Sequence, residues 1–128
     1  MLSKSPVTAT IPFRGLKKAE TFYGKKLGLK RIEGSAREGW LLFRAGKKTD
    51  LLLFESTSRK KSDNTAATFE VADLDREMAT LRKRGVRFED YDLPGIQTVD
   101  GVMAEKGMGK IAWAKDPDGN VLALHESE

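Results

Sequence analysis

The sequence predicts an α+β fold in which two βαβββ modules join into a curved, mixed-sheet cup with the helices on its outer face. Three observations predict it. Short β-forming stretches alternate apolar with polar residues, and two longer stretches carry apolar residues at helical spacing. The order strand, helix, three strands occurs twice. The halves also superpose: Thr8–Phe13 matches Ala66–Val71 at an offset of 58 residues, and Phe54-Glu55-Ser56 matches His125-Glu126-Ser127. At 128 residues the chain has the length of a single domain, 1–128, with modules at 7–56 and 65–126.

In the first module, Val7–Phe13 alternates and reads as a strand. Gly15 admits a helix whose Leu16, Ala19, Phe22, Tyr23 and Leu27 share one face, and Gly28 stands where a C-terminal glycine cap belongs. Strands follow at about Lys30–Glu33, Gly39–Arg44 and Asp50–Glu55, separated by Gly34, Gly46 and a Lys47-Lys48-Thr49 turn. The polar stretch Ser56–Asn64 reads as the linker.

The second module opens with a strand at Thr65–Val71. Asp73 is a helix N-cap, because its carboxylate can accept from backbone N–H groups that have no partner inside the helix. Leu74, Met78 and Leu81 line the inner helix face, and Gly85 ends it. Strands are expected at Val86–Tyr91, Lys110–Ala114 and Asn120–His125, the last two joined by Asp116-Pro117-Asp118-Gly119-Asn120, where proline presets φ and Gly119 takes the left-handed turn conformation. The long glycine-bearing segment Asp92–Lys110, with Met103 and Met108, reads either as a binding loop or lid, or as a dimer arm.

Composition narrows the function. Hydrophobic residues make up 39% and charged residues 33%, as in a globular chain. There is no cysteine, so thiolate catalysis, disulfides and cysteine metal sites are excluded, and a cytoplasmic location is expected. The longest apolar run, Leu51-Leu52-Leu53-Phe54, is far too short to span a bilayer, and no membrane partner is expected. The net charge is +4, with basic residues in pairs and triplets such as Lys25-Lys26, Lys47-Lys48 and Arg59-Lys60-Lys61. A nucleic-acid surface would gather these on one face with interleaved aromatics. They are expected instead on helix exteriors and loop tips, as solvated surface, so no nucleic-acid partner is expected.

Four motifs in order resemble the vicinal oxygen chelate superfamily of glyoxalase I, bleomycin-resistance proteins, fosfomycin-resistance enzymes and extradiol dioxygenases. They are Ala19-Glu20-Thr21-Phe22-Tyr23, Leu27-Gly28-Leu29, Phe69-Glu70-Val71-Ala72-Asp73-Leu74-Asp75 and Asp116-Pro117-Asp118-Gly119-Asn120. The resemblance implies the cup, a ligand within it and a homodimer, sometimes with exchanged halves. It also implies a divalent metal held by a His or Gln from the first strand of each half and a Glu from each last strand. The motif offsets place those positions at Thr8, Ala66, Leu52 and Ala123. None is an imidazole or a carboxylate, whereas a first-row ion takes three or four N or O donors. No metal and no other cofactor are therefore expected.

Alternation puts Thr8, Thr10, Ala66, Thr68, Val121 and Ala123 on the cup face, and Ile11, Phe13, Phe69, Val71, Leu122 and Leu124 against the helices. Trp40 and Trp113 are candidate walls, with Phe54, Phe43 or Tyr91 nearby, since indole rings stack on planar ligands. Each tryptophan could equally be core. Ligand-binding candidates are therefore Thr8, Thr10, Trp40, Phe54, Ala66, Thr68, Trp113 and Ala123. The only histidine, His125, reads either as a general base working with Glu70 or as a partly exposed rim residue. Glu105 is a further acid–base candidate.

The leading expectation is a metal-free protein that sequesters a planar or hydrophobic small molecule rather than an enzyme. The alternative is a lyase- or isomerase-type enzyme with a relocated or metal-independent acid–base site. A third is an interaction module whose cup is filled by its own side chains.

Overall fold

The first strand, β1 (Ala9–Phe13), is followed by a helix, α1 (Leu16–Glu20), which widens into a π-helical turn over Thr21–Lys26. The computed structural model describes residues 1–35, 37–58 and 62–128, so the Arg59-Lys60-Lys61 triplet of the linker lies outside the described residues. The chain divides into two compact units, Met1–Arg59 and Lys60–Glu128. Each is a four-stranded mixed sheet with a helix on one face.

In the first unit β2 (Lys30–Ser35), β3 (Trp40–Ala45) and β4 (Thr49–Glu55) complete the sheet in the order β1-β4-β3-β2. β1 and β4 are parallel, the other pairs antiparallel. Strict alternation buries Ile11, Phe13, Leu41, Phe43, Leu51 and Leu53 on one face. Ala19, Phe22 and Tyr23 are the buried helix residues, and Tyr23 stacks at a tilt on Phe43 with ring centroids 6.2 Å apart. The cap at Gly28 (φ 75°) is as expected, with Leu29 N–H donating back to Tyr23 O at 3.0 Å. β2 is bulged between Arg31 and Glu33, and there Gly34 (φ 134°) is obligatory: a Cβ would lie 2.7 Å from Leu41 Cα.

The second unit repeats the topology. β5 (Thr65–Glu70), α2 (Leu74–Lys83), β6 (Asp92–Leu93), β7 (Ile96–Gln97), β8 (Met103–Glu105), β9 (Gly109–Lys115) and β10 (Val121–Glu126) follow in order. The main sheet runs β5-β10-β9-β8, with β5 parallel to β10. Asp73 caps α2 as expected, accepting from Arg76 N–H at 3.1 Å, and Glu126 Oε2 accepts from Leu74 N–H at 2.7 Å. Leu74, Met78 and Leu81 are buried, as are Ala112, Ala114, Leu122 and Leu124 on the helix side of the sheet. The β9–β10 turn forms around Asp116, whose Oδ1 accepts from the N–H groups of Asp118 and Asn120, both at 2.9 Å.

Two expectations about this unit are corrected. Val86–Tyr91 is not a strand: only Phe88 makes a bridge, to Ala114. Val86 instead turns inward and is buried at the end of α2. The strand that completes the second module is β8, inside the segment expected to be a loop. Asp92–Lys110 accordingly holds β6, β7, β8 and the start of β9, joined by turns. β6 and β7 form a small hairpin through Pro94-Gly95, and Met103 is core, while Met108 stays exposed. The intervening Asp100-Gly101 turn has both residues at positive φ and is fastened by Asp90 Oδ1, which accepts from Gly101 N–H at 2.7 Å and Thr98 Oγ1–H at 2.9 Å.

Candidate functional site

In the first unit, residues opposite one another across the strands share a face. Thr10 lies beside Leu52, which faces Leu42; Pro12 lies beside Phe54, which faces Trp40. This is the face turned away from α1. Thr8 just precedes β1 and is exposed, and Phe54 retains 39% of its surface. Trp40 is half-buried, its Nε1–H donating to Glu38 Oε2 at 3.2 Å. Phe43 is removed from the wall candidates, because the same alternation buries it on the helix side.

In the second unit Thr68, Ala123 and Trp113 form one cross-strand row, again away from the helix. Ala66 is not part of a comparable row. The register shifts between Val121 and Leu122, and Ala66 is the extra residue of the bulge. Trp113 is 8% exposed and packs with Met103, Val121 and Ala123, with Tyr91, Ile96 and Ile111 against the cluster. Tyr91 meets Trp113 edge to face at 5.5 Å. Sequence reasoning left Trp113 as wall or core. The structure places it in this buried cluster, beside which opens a cleft of about 410 Å³ lined by Tyr91, Leu93, Ile96, Trp113 and Val121, with Asp63, Asn64, Thr65 and Lys115 as its polar residues.

The cleft wall depends on the β6–β7 hairpin, which sequence reasoning missed. Its Pro94-Gly95 pair was the available signal: proline at the first turn position and glycine at φ 80° at the second set a tight turn. Leu93 and Ile96 face each other across it, and Leu93 is 52% exposed. Burial holds the Tyr91 hydroxyl above its ordinary pKa, helped by the negative charges of Glu89 and Asp63. The phenol therefore stays protonated and able to donate a hydrogen bond near neutral pH.

His125 and Glu70 meet as the sequence suggested, opposite each other on β10 and β5. Nδ1 lies 2.8 Å from both carboxylate oxygens, and Nε2 lies 2.5 Å from Met108 O. Both neighbours are acceptors, so the ring satisfies them only as a doubly protonated imidazolium. The Met108 carbonyl and then Glu70 accordingly raise its pKa, against a smaller lowering by burial. In its protonated form both nitrogens donate, and neither is then open to take a proton from a substrate or to bind a metal. Among the described residues no hydrogen bond joins Glu105 to this pair. It lines a separate cleft of about 350 Å³ with Lys106, Lys110 and Glu128.

The metal implied by the resemblance does not fit these residues. Thr8, Leu52, Ala66 and Ala123 offer one hydroxyl among them, and among the described residues no three His, Asp or Glu side chains converge. No helix among them is long and apolar enough to cross a membrane.

The chain repeats a βαβββ unit, and the second unit carries a cleft of mixed apolar and polar lining with room for a small ligand. The chain belongs to the glyoxalase/bleomycin resistance protein/dioxygenase superfamily, whose model matches residues 6–124. Solved structures share the fold at low identity. TnmS3, an antibiotic binding protein from Streptomyces sp. CB03234, is 23% identical with a TM-score of 0.72, covering 98% of each chain. The fosfomycin resistance protein FosX from Listeria monocytogenes is 16% identical with a TM-score of 0.72, covering 98% of this chain and 92% of its own. Lactoylglutathione lyase from Agrobacterium tumefaciens is 17% identical with a TM-score of 0.73, covering 97% and 95%. Comparison with curated proteins gives no match.

Proposed function

We propose that the protein binds a small planar or hydrophobic molecule and holds it without a metal ion. The observation that carries this reading is the cleft beside Trp113 and Tyr91. Its volume, about 410 Å³, falls in the range of small-molecule sites. Its walls combine two aromatic rings with Leu93, Ile96 and Val121, and its polar residues stand ready to orient a ligand rather than to react with it. That TnmS3, which shares the fold, is an antibiotic binding protein agrees with this reading. The superfamily resemblance further supports a homodimer, which light scattering on the purified protein would check.

Trp40→Phe leaves Trp113 as the sole indole, so its fluorescence reports on the cleft. Titrating this variant with a panel of planar aromatic compounds should give saturable quenching by at least one of them, lost when Leu93→Glu is added. Flat traces across the panel, or quenching indifferent to Leu93→Glu, would remove the cleft as the binding site.

A further inference from the structure

We propose that one end of the first unit is a docking surface for the phosphate backbone of duplex nucleic acid. The charge of the chain is unevenly divided. Residues 1–59 hold thirteen basic and five acidic side chains, a net +8; residues 60–128 hold ten and fourteen, a net −4. The topology then gathers what the sequence spaces apart. The helical segment of the first unit ends at Lys26, β2 begins at Lys30, β3 places its next-to-last residue Arg44 opposite both Lys30 and Asp50, and Lys47 and Lys48 form the turn into β4. All of these lie at the same end of the sheet.

Arg44 is taken by Asp50, at 2.5 Å. Among the described residues no carboxylate forms an ion pair with Lys26, Lys30, Lys47 or Lys48, and the last three are exposed. The chemistry of this end selects among anionic partners. The Gly46-Lys47-Lys48-Thr49 turn has no apolar side chain to enter a bilayer, and no exposed aromatic stands there to stack an unpaired base. Protein interfaces are depleted in lysine and enriched in arginine and aromatics, and the one arginine here is occupied. Flexible lysine point charges without a base-reading group match a repeating phosphate backbone, contacted without regard to sequence.

Fluorescence anisotropy with a labelled duplex of arbitrary sequence tests this. Four phosphate contacts correspond to a slope of about −3.6 in log affinity against log salt, so binding should weaken roughly 50-fold between about 50 and 150 mM salt. Lys30→Glu/Lys47→Glu/Lys48→Glu should abolish binding with an unchanged circular dichroism melt. Arg76→Glu/Lys83→Glu/Lys106→Glu, an equal charge change on the second unit, should bind like the unaltered protein. Equal loss in both variants would show a net-charge effect and overturn the site. So would retention on phosphatidylserine vesicles in place of the duplex, or no binding to the duplex at about 50 mM salt.

Discussion

His125 shows how far one residue's role depends on what stands at both ends of its ring. From the sequence it was a lone histidine near Glu70. The missing fact was the Met108 carbonyl, delivered by the β8–β9 turn. With acceptors on both sides, the imidazolium ties β5, β10 and that turn together. Because its folded-state pKa is raised, this contribution is complete below the ordinary histidine value of about 6.5 and is lost as pH rises through the folded value. Thermal melts of the protein and of His125→Ala should therefore differ most near about pH 5.5 and converge as pH rises. A gap that widens with pH would contradict the assignment. Trp113 is the second such residue. Trp113→Ala removes a buried ring from a packed cluster and should cost about 3–5 kcal/mol of stability by chemical denaturation. Trp113→Phe preserves much of the packing and separates ligand contact from folding.

At the scale of elements, those with a local code were legible and those set by tertiary context were not. The α2 boundaries were written in Asp73 and Gly85, and the inner face in Leu74, Met78 and Leu81. The second cap acceptor, Glu126, which accepts from Leu74 N–H, is 52 residues distant and carries no sequence signal. Asp73→Ala should cost about 1 kcal/mol, and Asp73→Ala/Glu126→Ala more than Asp73→Ala alone, since both anions serve the same helix end. Denaturant midpoints at constant slope would measure both. The strand β8 was missed because three residues between glycine-rich turns show too little alternation to distinguish them from loop. The internal repeat held the missing clue: in the first module the strand before Trp40 is separated from it by a short turn. The same spacing before β9 leads to Met103–Glu105, not to Val86–Tyr91. At Ala66 the bulge defeated simple alternation, for an inserted residue shifts which neighbour each side chain meets.

For the molecule as a whole, the duplicated βαβββ pattern made the fold class readable because repetition averages out local ambiguity: each half supports the other's assignment. The candidate site was less readable, since part of its wall comes from a hairpin whose four paired residues leave almost no pattern. What the sequence did expose was chemistry that cannot depend on packing, namely which donors exist at the positions where a metal would be held. Side chains without lone pairs cannot become ligands through any rearrangement of Leu52, Ala66 or Ala123. The one imidazole of the chain already has hydrogen-bond partners at both nitrogens, Glu70 and the Met108 carbonyl. Calorimetric titration of chelator-treated protein with Zn²⁺, Ni²⁺, Mn²⁺ and Fe²⁺ at about pH 7 should accordingly show no stoichiometric binding at micromolar concentrations. If one equivalent of any ion did bind, Glu70→Gln and His125→Ala would separate the cases. Loss of binding in both would mean that the ion displaces the proton bridging Glu70 and His125, whereas retention in both would require a ligand set away from that pair.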